Sequence, residues 1–278
     1  MRKGRIMFVP VGGLANRMMA TASAYTLAKR IDSTLQILWF QDWALSAPFT
    51  SIFKASEIIN VKDASFTDKL LYDRARKKNL WLPSLPQKLL FERRMEENHL
   101  FNMNHQHFDF DQWAQGYHCH MSGFCQFEEY PDDLYRKLFK PVDEVMEGVN
   151  RNREQFSSHT IGLHIRRTDH VQAIANSPDQ LFIEQVEKEI EQYADTKVFL
   201  ATDNNQVKDT FRKHFGNRII TPTEEASRDS INGIRGGLVD MYTLASTCQI
   251  YGSAGSTFSP MAARIGGCAI EILSSKKI

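Results

Sequence analysis

Ile161-Gly162-Leu163-His164-Ile165-Arg166-Arg167-Thr168-Asp169-His170 is the stretch on which the reading of this chain turns. An apolar run with the character of a buried strand ends in His-x-Arg-Arg-x-Asp. Charge at that density belongs at the C-terminal tip of a strand, where α/β sheets bind their ligands. A guanidinium forks onto two oxygens at once, so two adjacent arginines there point to a diphosphate or another planar anion. The competing reading is a surface pair salt-bridged to a neighbouring helix, which is common and nearly neutral in energy.

Outward from this stretch the pattern is regular. Strand character at 160–165, 197–201, 218–221, 250–252 and 269–273 alternates with helical periodicity at 179–193, 204–215, 240–248 and 259–265. In 179–193, Phe182, Val186 and Ile190 recur on one face. Alternation of this kind predicts an α/β fold with a parallel sheet and helices on both faces. The N-terminal region opens the same way: a strand at 5–11, the turn Gly12-Gly13-Leu14-Ala15-Asn16-Arg17, a helix at 18–30 and a strand at 35–40. The region 41–130 is less regular, with Pro48, Pro83 and Pro86, the basic run Arg74-Ala75-Arg76-Lys77-Lys78, and a His- and aromatic-rich segment at 99–127. A helix is expected at 134–149 and a polar link at 150–158, which divides the chain into lobes 1–150 and 151–278.

The 278 residues carry a net charge of +1, so no general polyanion-binding surface is implied and nucleic acid is not an expected partner. Any affinity for phosphate must be local. Hydrophobic residues make up 42%, enough for a sizeable core. The basic start Met1-Arg2-Lys3-Gly4-Arg5 imitates a signal peptide, but the apolar run after it is short and meets Gly12-Gly13 directly. No run reaches the about 18 apolar residues of a membrane span. The expectation is a cytoplasmic protein, with peripheral membrane association through basic patches left open. The four cysteines, Cys119, Cys125, Cys248 and Cys268, form no Cys-x-x-Cys pair, and Cys248 and Cys268 read as core residues.

Three strand tips of the second half carry chemistry. The first holds His164, Arg166, Arg167 and Asp169; the second holds Asp203; the third is Gly252-Ser253-Ala254-Gly255-Ser256-Thr257-Phe258-Ser259, just before a helix. Small residues at a helix start let backbone N–H groups and hydroxyls approach an anion. Parallel strands bring all three tips to one edge of the sheet. Taken singly, Asp203 reads as a helix N-cap and Ser256-Thr257 as another. The Gly12-Gly13 turn on its own joins many kinds of strand to many kinds of helix.

Together these motifs resemble the GDP-fucose-dependent fucosyltransferases. Gly12-Gly13-Leu14-Ala15-Asn16-Arg17 is similar to their Gly-x-Gly-Asn-(Gln/Arg) loop, and His164-Ile165-Arg166-Arg167-Thr168-Asp169 to their His-x-Arg-Arg-Gly-Asp signature. Asp240-Met241-Tyr242 with Leu244-Ala245, followed by Ser256-Thr257-Phe258-Ser259, resembles their third motif. The likeness spans the α-1,2-, α-1,6- and protein O-fucosyltransferases. It implies the GT-B fold, two Rossmann-like lobes with a cleft between them, with GDP-fucose on the second lobe and a glycan acceptor on the first. It implies an inverting transfer that needs no cofactor and no metal. Arg166 then matches the arginine at the β-phosphate and His164 a residue near the diphosphate. Ser256, Thr257 and Phe258 match phosphate-binding positions, Asp240 an acidic support of the nucleotide pocket, and Asn16 the loop residue facing the donor. Gly12, Gly13, Arg167 and Asp203 complete the donor-binding candidates, with Arg166 and Asn16 as the catalytic ones. Thr168 stands where the family has Gly, Ala15 stands where many members have Gly, and no acidic residue aligns as a general base.

Two further constellations have other readings. Asp109-Phe110-Asp111 is an Asp-x-Asp, but the residues before it, Asn104 to Phe108, are not a hydrophobic strand. His118-Cys119-His120, with Cys125, has zinc-type ligands on one strand face; an acceptor-side or packing role is preferred. Alternatives to fucosyl transfer are a transferase of the same fold using another nucleotide sugar, such as GDP-mannose, and a nucleotide-sugar-binding protein without turnover.

Overall fold

The computed structural model describes residues 2–167, 171–222 and 229–275. The chain divides into two compact units, Met1–Lys140 and Pro141–Ile278. Each is built on a five-stranded parallel sheet.

In the first unit the strands are β1 (Arg5–Pro10), β2 (Thr34–Trp39), β3 (Asn60–Asp63), β4 (Arg93–Met95) and β5 (His118–Gly123). Their order is β3-β2-β1-β5-β4. β1 is central: Phe8 stands beside Ile37 of β2 and Met121 of β5. The helices are α1 (Leu14–Arg30), α2 (Phe66–Leu71), α3 (Ser84–Leu90), α4 (Glu97–His105), α5 (Phe110–Ala114) and α6 (Asp133–Leu138). Ala20, Ala24 and Leu27 of α1 pack on Ile6, Phe8 and Ile37 in one core. α1 begins four residues before the expected position 18, because extended Gly13 hands its carbonyl to the Arg17 amide and closes the first turn there. The strands β3 and β4 escaped notice in the sequence. They are short and carry charged residues such as Lys62, Arg93 and Arg94, so they show no apolar run.

In the second unit the strands are β6 (Thr160–Ile165), β7 (Lys197–Thr202), β8 (Ile219–Ile220), β9 (Gln249–Ser253) and β10 (Ala269–Leu273), in the order β10-β9-β6-β7-β8. Every residue of the central β6 is buried, as expected for a parallel strand covered on both faces. The helices are α7 (Asp143–Arg153), α8 (Val171–Asn176), α9 (Asp179–Gln192), α10 (Asn205–Phe215), α11 (Ile231–Leu244) and α12 (Phe258–Gly266). Phe182 and Val186 of α9 and Val207 and Phe211 of α10 fill the core against β6 and β7.

The helix expected at 134–149 is two helices, α6 and α7, separated at Pro141, which has no N–H for an intrahelical bond and disfavours helix in the residue before it. α7 runs to Arg153, so residues 150–153 are helical rather than a link, and position 150 falls inside the second unit. The helix expected at 240–248 starts at Ile231 and stops at Leu244. Cys248 is exposed and Cys268 half-buried, not core residues. Cys248 lies in the connection from α11 to β9, where its thiol donates to the Thr160 carbonyl at 3.1 Å.

Candidate functional site

Both sheets reverse direction next to their central strand. From β6 the chain steps to β7 and β8 on one side, then returns to β9 on the other. At such a switch point the connections leave in opposite directions and open a crevice at the C-terminal strand ends. The tips of β6 and β9 border it, and they carry the first and third candidate motifs.

Hydrogen bonds between the tips fix the geometry. Ser253, fully buried at the end of β9, accepts from the Arg166 amide at 3.1 Å and donates to the His164 carbonyl at 3.2 Å. Asp203, at the tip of β7, accepts from the Arg167 amide at 2.8 Å and pairs with Arg166 Nη1 at 3.0 Å. So Asp203 is not the cap of α10. Asn204 is, accepting from the Val207 amide at 3.2 Å. Asp203 instead orients the Arg166 guanidinium, which keeps 21% exposure at the crevice.

Arg167 is committed elsewhere. Its Nε donates to Asp179 at 2.9 Å, Nη1 to the Arg166 carbonyl at 2.8 Å and Nη2 to the Ser177 carbonyl at 2.7 Å. Its guanidinium therefore ties the β6 loop to the start of α9. Asp169, the carboxylate of the same tip, lies outside the described residues, as do Thr168 and His170.

His164 is buried, stacked on Phe258 with centroids 4.8 Å apart, and its Nδ1 lies 3.3 Å from the Ser259 hydroxyl. Burial pushes its pKa down to about 4, and Arg166 adds to that, so the ring is neutral at physiological pH. Phe258 opens α12; the Ser256 hydroxyl accepts from its amide at 3.3 Å, and Thr257 is the N-cap residue. Gly252 is required here: a Cβ on it would sit 2.3 Å from Ser259 Oγ.

Asp240, on α11, is buried, and its Oδ1 has no hydrogen-bond partner among the described residues. Desolvation raises its pKa to about 7, with Lys208 pulling it partly back. The Lys208 ammonium itself donates to the Pro222 carbonyl at 3.0 Å. A buried carboxylate with an unpartnered oxygen is costly, which makes Asp240 a candidate binding group.

The first unit has its own switch point, between β1 and β5. Gly12 there has φ +83°, and the Asn16 side chain packs over it: a Cβ on Gly12 would stand 3.2 Å from Asn16 Nδ2. Gly13 is extended and caps α1. Arg17 is fully buried and holds the loop from beneath, with Nε on the Gly12 carbonyl at 2.8 Å and Nη2 on Asp42 at 2.9 Å. Its pKa is lowered to about 10 by burial, with Asp42 opposing, so it stays charged. Arg74 reaches the other Asp42 oxygen at 3.1 Å and Glu97 at 3.4 Å, while Ser122 donates to Glu97 at 3.0 Å. Above this network lies a cavity of about 240 Å³, walled by Asn16, Asp42, Trp43, Arg74, Glu97 and Phe124 among others.

The two remaining constellations have structural roles. Asp109 caps α5 through the Gln112 amide at 2.9 Å, and Asp111 pairs with Arg30. His118 and His120 flank the Phe91 ring, and the buried His120 Nε2 lies 2.8 Å from the Tyr72 carbonyl. Sequence reading missed Ser177, Lys208, Asp42 and Glu97, and it placed Ser253 in the third tip without its bonds to Arg166 and His164. The four missed residues sit in no motif; they matter through partners distant in sequence.

No family model matches the sequence, and no curated protein does. Solved structures do. The crystal structure of NodZ alpha-1,6-fucosyltransferase with GDP is 20% identical, with a TM-score of 0.66 over 94% of this chain and 92% of that one. The fucosyltransferase NodZ from Bradyrhizobium is 19% identical, with a TM-score of 0.65 over 94% and 93%. POFUT1 in complex with GDP-fucose is 13% identical, with a TM-score of 0.58 over 97% and 98%. The chain thus shares their fold along nearly its whole length.

Proposed function

We propose that this chain is a GDP-fucose-dependent fucosyltransferase acting on a glycan hydroxyl, with its two units forming the lobes of a GT-B enzyme. The observation that carries the reading is Arg166, poised by Asp203 at the β6–β9 switch point of a fold shared with fucosyltransferases solved with GDP and GDP-fucose.

In the transfer, the acceptor oxygen forms a bond to C1 of fucose as the bond from C1 to the diphosphate oxygen breaks. GDP departs with the bonding electron pair, and the acceptor proton is released. The barrier lies largely in the charge that builds on the leaving diphosphate, and preorganised cations and dipoles are the strongest remedy. Arg166 supplies the cation. Ser256, Thr257 and the amides opening α12 supply dipoles. Neutral, buried His164 backs the half-buried Phe258 ring in a stack beside it, and Phe258 offers an apolar surface suited to the ribose or the sugar.

Asp240 supports guanine as the base. Its unpartnered oxygen is an acceptor in search of N–H donors, and guanine offers N1–H and its amino group side by side. Uracil has only a single N–H on that edge. On the first unit, the cavity at Gly12–Asn16 fits one sugar ring of the acceptor. Its about 240 Å³ is slightly below the about 300 Å³ at which drug-sized pockets begin. It offers carboxylates and amides for hydroxyls and the exposed Trp43 for a sugar face. Inversion at C1 and independence from metal complete the proposal.

A panel of nucleotide sugars, with and without EDTA, tests it. Turnover of GDP-fucose unaffected by EDTA, with inverted configuration at C1 of the product, is expected. Preference for GDP-mannose would change the donor, and GDP binding without turnover of any donor would make the chain a binding protein. Activity abolished by EDTA would refute metal independence.

A further inference from the structure

The segment from Phe66 to Leu90, comprising α2, α3 and the turn between them, is unlike the rest of the surface. Among the described residues, seven large apolar side chains are more than half exposed, and six of them are here: Phe66, Leu80, Trp81, Leu82, Leu85 and Leu89. The seventh, Trp43, is at the acceptor-side cavity. Phe66 and Leu70 are spaced i, i+4 on α2, and Leu85 and Leu89 likewise on α3, so each short helix turns an apolar stripe outward.

Charge follows the same division. The acidic residues of the segment, Asp68 and Asp73, are both buried: Asp68 accepts from the amide of Ser65, the N-cap of α2, and pairs with Lys62, and Asp73 pairs with Arg76. Lys69, Lys77, Lys78 and Lys88 are exposed. The outer face is therefore apolar and cationic, with no exposed carboxylate. Nor is it a loose arm. The buried Gln87 donates to the Asp73 carbonyl at 2.8 Å, and Asn79 donates to the Arg74 carbonyl at 2.7 Å. Leu80 and Trp81 both have left-handed backbone, φ +50° and +54°, which a β-carbon disfavours. A tethered turn thus holds two large apolar residues out in water.

We propose that this face docks on the surface of an anionic lipid bilayer, with Trp81 and the leucines entering the headgroup boundary and the lysines meeting lipid phosphates. Trp is at home at that boundary, and lysine stems extend along the apolar layer while their ammonium groups stay at the charged one. A second copy of the chain is a poorer occupant, because apposing two such faces sets lysines against lysines. The inference does not depend on the donor or on the reaction.

Sedimentation of the full-length protein with vesicles of phosphatidylcholine, with and without phosphatidylglycerol, tests it. Binding is expected only to the anionic vesicles, weakened by salt and accompanied by a blue shift of tryptophan emission. At about fivefold in affinity per basic residue near such a surface, Lys77→Gln with Lys78→Gln lowers binding about 25-fold. Trp81→Ser abolishes the blue shift and weakens binding, with the circular dichroism spectrum unchanged. Failure to bind anionic vesicles overturns the proposal, as does equal binding by these variants. Concentration-dependent dimers, broken by Leu85→Asp with Leu89→Asp and blind to lipid, would overturn it in favour of self-association.

Discussion

Arg166 and Asp203 divide one task between them. The guanidinium supplies charge, and the carboxylate fixes where that charge lies, 3.0 Å away. Arg166→Ala is expected to lower kcat about 100- to 1000-fold, the usual loss for one preorganised donor to a developing oxyanion. GDP affinity should fall much less, which steady-state kinetics beside calorimetric titration resolves. Asp240 carries a pH signature. Its pKa rises from 3.8 to about 7 through burial, so the folded state holds a proton that the unfolded state has lost between those values. Stability therefore falls as pH rises through that window, by at most about 4 kcal/mol at about 1.4 kcal/mol per unit. Asp240→Asn should remove the penalty. Denaturant melts are expected to show the variant more stable than wild type at pH 8, with the gap closing near pH 4. GDP bound through the ionised carboxylate has the opposite trend: affinity drops about tenfold per unit below pH 7, and the Asn variant loses that slope.

At the scale of elements, the contact of β9 with α12 is set by Gly252. A Cβ there would meet Ser259 Oγ at 2.3 Å and Ile272 Cδ1 at 3.1 Å, within a sheet that cannot spread. Gly252→Ala is expected to cost about 1–3 kcal/mol, the range for overpacking a filled site. Adding Ser259→Gly, which removes the nearest clashing atoms, should recover part of it; thermal melts of the two variants decide. This contact also shows why the site was only half legible. The strand tips at 160–167 and 252–259 could be found because buried parallel strands leave uninterrupted apolar runs that end in charge or small residues. The partner of Ser253 and the role of Ser177 could not, since those hydroxyls act across gaps of 87 and 77 residues in sequence. The helix break at Pro141 was visible as a proline, yet the apolar periodicity on either side of it masked the two short helices.

Over the whole molecule, two parallel sheets repeat one device, a switch point beside the central strand with a glycine- or serine-rich tip. Each unit has its own core, and the phosphate-binding candidates belong to the second unit alone. Saturating GDP is thus expected to raise the unfolding transition of the second unit and leave that of the first in place. At 100-fold excess over Kd the gain is about 2.7 kcal/mol. Calorimetry with and without GDP reads this directly, and a single transition that moves as a whole would show that the units unfold together. The basic apolar face at 66–90 is a property of this scale too: a net charge of +1 conceals it, because the acidic residues that balance the sum are distributed elsewhere.

The sequence by itself determined the class of fold, the central strands and the three tips, for these follow from local apolar runs and from what interrupts them. It also marked Arg166 and Asp240. Tertiary structure alone decided what those residues do. Arg167, beside Arg166 in the chain, became a brace because Asp179 and two carbonyls reach it. Asp203 became the orienter of Arg166 because β6 and β7 are neighbours, and Asn204 took the cap. Asp240 was left with an empty oxygen because α11 buries it without supplying a donor. Local sequence specifies which groups are present, but the partners of a charge are chosen by the strands that fold beside it.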